Sequence, residues 1–128
     1  MHLEIPIRPF PAVRTNRKWS WTPKAQEYHG KMNNLRFYVH PHKKEIIEAL
    51  ISGKYCMQFI FAMPESWSKK KRLLMNGKPM QSKPDNDNLF KAFTDTVFWK
   101  EDHNDSEIWN NVYQKYWWEE DKIIFIAD

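Results

Sequence analysis

Residues 54–63, KYCMQFIFAM, carry the clearest strand signal in the chain. Successive side chains of a strand point to opposite faces, so Tyr55, Met57, Phe59 and Phe61 share one face. Cys56, Ile60 and Ala62 on the other face are apolar as well. A segment apolar on both faces belongs inside a sheet, with a neighbour on each edge. Outward from it, LEIPI (3–7) alternates and predicts a first strand. IWNNVYQKYWW (108–118) alternates like a strand, EEDK (119–122) turns, and IIFIA (123–127) returns.

Helical segments lie between these strands. TPKAQEYHGKMNNLRFYV (22–39) opens with Thr22 as N-cap and Pro23 at the first position, although Gly30 weakens it. In PHKKEIIEALISGK (41–54), Pro41 begins a helix, Ile46, Ile47, Leu50 and Ile51 share a face, and Gly53 can cap it. Ser66 is a candidate start for a short helix holding Lys69, Lys70, Lys71 and Arg72. From Asp87 to about Trp99, Leu89, Phe90, Ala92, Phe93 and Val97 build an apolar stripe. These elements predict a single compact α+β domain spanning 1–128: a small mixed β-sheet packed with helices.

Composition agrees with a globular chain. An apolar fraction of 41% with only 3 Gly among 128 residues argues against disorder. The net charge of +4 suits a polyanionic partner, though it also suits any soluble basic protein. Arg8, Arg14, Arg17 and Lys18 lie in an irregular, proline-containing arm, and the 69–72 run adds four consecutive cations. Together they predict a phosphate-contacting surface, against the simpler reading of solvated charge. Cys56 is the only cysteine, so no intrachain disulfide forms; its apolar surroundings predict a buried, inert thiol. No secretory leader and no membrane span is evident, which predicts a cytoplasmic protein.

The chemistry concentrates in KPDNDN (83–88). Two aspartates two apart repel unless a helix start, a turn or a cation uses them. Pro84 biases Lys83 toward extended backbone. Asp85 and Asp87 can therefore converge where an extended segment enters a helix. Asp is a favoured N-cap, which accounts for one of them. It leaves the other, and the acidic loop KEDHNDSE (100–107), without a role. Several carboxylates brought together call for a cation, and hard oxygen donors point to Mg²⁺, with Mn²⁺ as a substitute. Asp87, Lys91 and Asp95 lie along one helix edge at i, i+4 and i+8, so Lys91 reads as a salt bridge or as an ammonium aimed at a phosphate. His103 reads as an exposed loop histidine or as a base, and Asn88 as a backbone partner or an orienter of an acid. An EF-hand fails on its glycine and terminal glutamate: counted from Asp85 these positions are Phe90 and Thr96, and from Asp102 they are Glu107 and Tyr113. An Asp-x-Asp nucleotide-sugar transferase needs a larger nucleotide domain than this chain provides.

The stretch KPDNDNLFKAFTDTVFWKEDHNDSEI (83–108) resembles the RusA family of Holliday-junction resolvases, common in phages and prophages. Pro84, Asp85, Asp87, Asn88, Leu89, Lys91 and Asp95 match its pattern, and IPIRPFPAVRTNR with WTPK resembles its opening. The resemblance implies a metal-dependent endodeoxyribonuclease that cuts four-way junctions in DNA recombination and repair, leaving a 5′-phosphate and a 3′-hydroxyl. It implies metal-binding acids at Asp85, Asp87 and one acid of the 102–105 loop, and an essential lysine at Lys91. Where the family has adjacent aspartates this chain has Asn104-Asp105 with Asp102 nearby; the alignment favours Asp105, with Asp102 as the alternative. Symmetric incision of two strands implies a C₂ homodimer. A nuclease for other branched DNA, or a DNA-binding module without catalysis, are the competing readings.

Overall fold

A computed structural model describes residues 1–13 and 21–128. Arg14, Arg17 and Lys18 of the basic arm lie outside the described residues. The central strand is where the sequence places it: β2 (Tyr55–Ala62) has neighbours on both edges, β4 (Lys122–Ala127) and β3 (Tyr113–Trp118). The sheet order is β1-β4-β2-β3, with β1 spanning His2–Ile5. β2 runs antiparallel to β4 and parallel to β3, and β4 runs antiparallel to β1. The sheet is therefore mixed, as the segment pattern predicts. A parallel pair needs a long crossover, and here α3 (Lys69–Met75) and α4 (Asn86–Val97) occupy it.

Only one face of β2 is fully covered. Tyr55, Met57, Phe59 and Phe61 are buried in a core with Leu35 and Val39 of α1 (Pro23–Val39), Ile46 and Leu50 of α2 (Lys43–Ser52), and Leu89 and Phe93 of α4. On the other face Ile60 is buried, but Cys56 and Ala62 are half-buried. The expectation of two buried faces is corrected accordingly, and Cys56 is not a buried thiol. The strand is central because it is paired on both edges, not because it is covered on both faces.

Local signals account for most boundaries. Thr22 caps α1 by accepting a hydrogen bond from the Ala25 amide, and Gly53 closes α2 in the left-handed region at φ 77°. Three boundaries depart from expectation. Pro41 sits in a 3₁₀ turn, His40–His42, ahead of α2. Ser68, not Ser66, caps α3, because its hydroxyl reaches the Lys71 amide at 3.1 Å. Residues 108–112 do not join β3. Instead the Trp109 indole N–H donates to the Ile51 carbonyl at 3.0 Å and the Asn110 amide donates to the Gly53 carbonyl at 3.0 Å. Those bonds tie Trp109 and Asn110 to the end of α2, and among the described residues the segment's backbone meets the sheet only at Val112, whose carbonyl accepts from the Met57 amide at 2.9 Å.

Candidate active site

The segment before α4 bends at residues 82–84, with a cis Lys83–Pro84 peptide, instead of running extended as Pro84 predicts, and it is held from below. Lys115 on β3 donates to the carbonyls of Ser82 and Pro84, the latter at 2.7 Å. Asp85 then takes the N-cap position of α4 with extended backbone, φ −68° and ψ 144°, yet its side chain makes no capping bond. Among the described residues its exposed carboxylate has no partner, and it stands at the positive end of a helix. Asp87, in the first helical turn, accepts a hydrogen bond from the Asn88 amide at 2.9 Å. Asn88 in turn accepts at its carbonyl from the Ala12 amide at 3.0 Å, fastening the N-terminal arm to α4. Tyr113 of β3 stacks on Phe90, and its hydroxyl is pushed toward the neutral form by burial and then by the negative charge of Asp87.

One turn further along α4, Lys91 joins two acids. Its ammonium donates to Asp95 at 2.8 Å and to Asp105 at 3.0 Å. Both hydrogen bonds, Asp95's first, hold the Lys91 pKa above its ordinary value. Tyr28, buried on α1, donates from its hydroxyl to the second oxygen of Asp95 at 3.4 Å. Burial first, then the charge of Asp95, keeps that phenol protonated. Asp95 is thus gripped by a lysine from its own helix and a tyrosine from another.

Asp105 reaches Lys91 from a 3₁₀ turn, Asp105–Glu107, rather than from the end of a strand as the alternation suggests. That turn carries a capping box: the Asn104 side chain accepts from the Ser106 amide at 2.9 Å, and Glu107 accepts from the Asn104 amide at 3.1 Å. Asp102 is exposed and has no side-chain partner among the described residues. His103 pairs with Glu107 at 3.0 Å and stands outside the Lys91 cluster. Among the described residues, no group of three His, Cys, Asp or Glu side chains is gathered as a metal cage. What the fold presents is Asp85 and Asp87 at the start of α4 and, one turn on, a Lys91–Asp95–Asp105 cluster.

The cationic residues fall in two settings. Lys69, Lys70 and Lys71 are exposed on α3, and the Lys71 ammonium lies 4.3 Å from the centre of the Trp67 ring. Arg72 is partly turned inward and donates to the Pro64 carbonyl at 3.1 Å. Arg8 pairs with Asp121 at 3.1 Å and lies over the Phe61 ring, so its charge serves the fold. Tyr28 and Tyr113 escaped sequence reasoning, since neither shares a spacing with the acids; Asp95 was visible as the far end of a helix edge and as a match to the family pattern, but not as the partner of Tyr28.

Among curated proteins and among solved structures, nothing matches this chain significantly. No helix of the described residues is long and apolar enough to cross a membrane. A comparison with protein families matches Endodeoxyribonuclease RusA over residues 6–126, which takes in the acid pair, the lysine cluster and every element except β1 and the last residue of β4. The chain belongs to the RusA family of endodeoxyribonucleases, enzymes that resolve Holliday junctions.

Proposed function

We propose that this chain is a Mg²⁺-dependent nuclease that resolves four-way DNA junctions by paired symmetric nicks, working as a homodimer. The observation that carries this reading is the bridge from Lys91 to Asp105 at 3.0 Å, which sets an ammonium one helical turn from Asp87 on the helix that Asp85 opens. Asp85 and Asp87 offer hard oxygen donors. Mg²⁺ commonly sits on one or two carboxylates and leaves its other positions to water and substrate phosphate, so an open pair suits it better than a closed cage. Mn²⁺ is the natural substitute. Asp105 supplies the third carboxylate in this reading.

When bound, the metal activates water and offsets charge on the phosphoryl oxygens. The chain's own groups do the rest. The first-turn amides of α4 face the incoming phosphate with the positive end of the helix dipole. Lys91 donates to a non-bridging phosphate oxygen as charge builds there. Asp95, gripped by Tyr28, holds the Lys91 ammonium in place while Asp105 exchanges its partner. Exposed Lys69, Lys70 and Lys71 contact phosphates further along the arms, and Arg14, Arg17 and Lys18 add further phosphate contacts. The product ends are a 5′-phosphate and a 3′-hydroxyl. Two equivalent strands require two sites, and a C₂ pair of chains provides them.

The test is to incubate a synthetic four-way junction and a matched linear duplex with the protein, with and without Mg²⁺. The expected outcome is two nicked duplexes from the junction, with Mg²⁺ only, and an intact linear control. Equal cutting of both substrates, or full activity in chelator, overturns the reading.

A further inference from the structure

We propose that the cleft running away from the acid pair is a nucleotide subsite, which receives the nucleoside next to the scissile phosphate and reads its base with Asn34. This rests on the nuclease reading for the position of that phosphate. Two clefts lie end to end on this surface. The first, about 410 Å³, is lined by Pro11, Lys83, Pro84, Asp85 and Asn88. The second, about 280 Å³, shares Pro11 and Pro84 as walls and extends past Phe10 to Lys31 and Asn34 on α1. A strand with its phosphate at Asp85 therefore has its neighbouring nucleotide at the mouth of the second cleft.

Both shared walls are tied down. The Ala12 amide donates to the Asn88 carbonyl at 3.0 Å, which fixes the segment beside Pro11. Lys115 donates to the Pro84 carbonyl at 2.7 Å. A cleft whose walls are fixed before binding does not lose ordering entropy when a ligand enters.

The lining chemistry fits a nucleoside. Pro9, Pro11 and Pro84 give apolar walls for a base, with Phe10 and Phe61 buried behind them and Arg8 lying over the Phe61 ring. The Asn34 amide, exposed and without a hydrogen-bond partner among the described residues, carries a donor pair and an acceptor, the complement of a base edge. Among the described residues Lys31 is shared only with Glu27, in an exposed i, i+4 pair at 3.2 Å, and so remains available to a phosphate. The second cleft lies at the small end of ligand sites, which suits one nucleoside rather than a base pair. Taking a base out of the stack costs least where stacking is already interrupted, and a branch point interrupts it.

The experiment uses the full chain and four-way junctions carrying 2-aminopurine in turn at each position near the cut. Bound in EDTA, one flanking position should brighten with the wild-type protein. Asn34→Trp, which fills the cleft from an exposed helix position, should abolish that signal at protein concentrations that saturate the junction. In Mg²⁺, the wild-type protein should prefer one base at that position by about tenfold, and Asn34→Ala should reduce the preference to less than about twofold. If no position brightens, if the signal persists in Asn34→Trp, or if the base ranking is unchanged in Asn34→Ala, the subsite is not this cleft. The fluorescence arm needs no cleavage, so a protein that cuts nothing would sink the nuclease reading without deciding the subsite.

Discussion

Lys91 meets two carboxylates at once, and substitutions around it have measurable consequences. Only Asp105 among the loop acids reaches it, held there by the capping box of its own turn. Asp105→Asn keeps the shape and removes the charge, so single-turnover junction cleavage should fall by about 100-fold or more, the scale of losing a group that acts in the transition state. Asp102→Asn should stay within a few-fold of wild type, and both variants should still bind the junction. The reverse ranking would mean that the loop rearranges on DNA. The raised Lys91 pKa makes a second prediction, this one about stability. A group whose folded pKa is raised contributes stability that is present in full below its unfolded pKa, near 10.4 for lysine, and lost as pH rises through the folded value. Wild type should therefore exceed Lys91→Met in urea midpoint at pH 8 to 9, by a small margin because the pair is half-exposed. That margin should shrink above about pH 10.4. A constant gap up to pH 11.5 would show that the ion pairs add nothing.

Between helix and loop, the fold depends on one close approach. Gly53 ends α2 at φ 77°, and a Cβ there would stand 2.6 Å from the Trp109 ring. Two independent penalties thus fall on one substitution: left-handed backbone, and overlap with an indole pinned by its bond to Ile51. Gly53→Ala should cost about 2–4 kcal/mol in equilibrium unfolding. Pairing it with Trp109→Ala should recover part of that loss, since the overlap disappears while the backbone strain stays. Equal stability of Gly53→Ala and wild type would contradict the packing of residues 108–112 on α2. The alternation in IWNNVYQKYWW is genuine, but alternation cannot say whether a segment finds a strand partner or, as with residues 108–112, the end of a helix.

Over the entire surface, the basic charge is split between fold and ligand. Arg8 neutralises Asp121, whose carboxylate also accepts from the Ala62 amide at 2.7 Å at the end of β2. Lys69, Lys70 and Lys71 have no carboxylate partner among the described residues. Junction binding should therefore weaken steeply with salt. Replacing these three lysines by Ala should flatten the log–log slope by about 0.9 for each phosphate left without its lysine. An unchanged slope would identify the run as solvated charge. Arg8→Ala should instead lower stability more than it changes the salt slope.

Much of this protein is legible before any folding is considered. The period-two pattern of β2, the caps at Thr22 and Gly53, and the Asp85-x-Asp87 junction ahead of an amphipathic helix are local, and local rules read them correctly. The acid pair and Lys91 share one short segment, so their proximity needs nothing beyond helix geometry. Other features required the tertiary structure. The parallel pairing of β2 with β3 and the antiparallel insertion of β4 between β1 and β2 join segments far apart in the chain. Tyr28 and Asp95 are separated by 67 positions, and no spacing rule connects them. The choice of Asp105 over Asp102 at Lys91 depends on a capped turn that aims one side chain inward. Periodicity determines which face of an element is apolar. Which elements meet, and which polar group then points at which, is set by the packing of all those faces together.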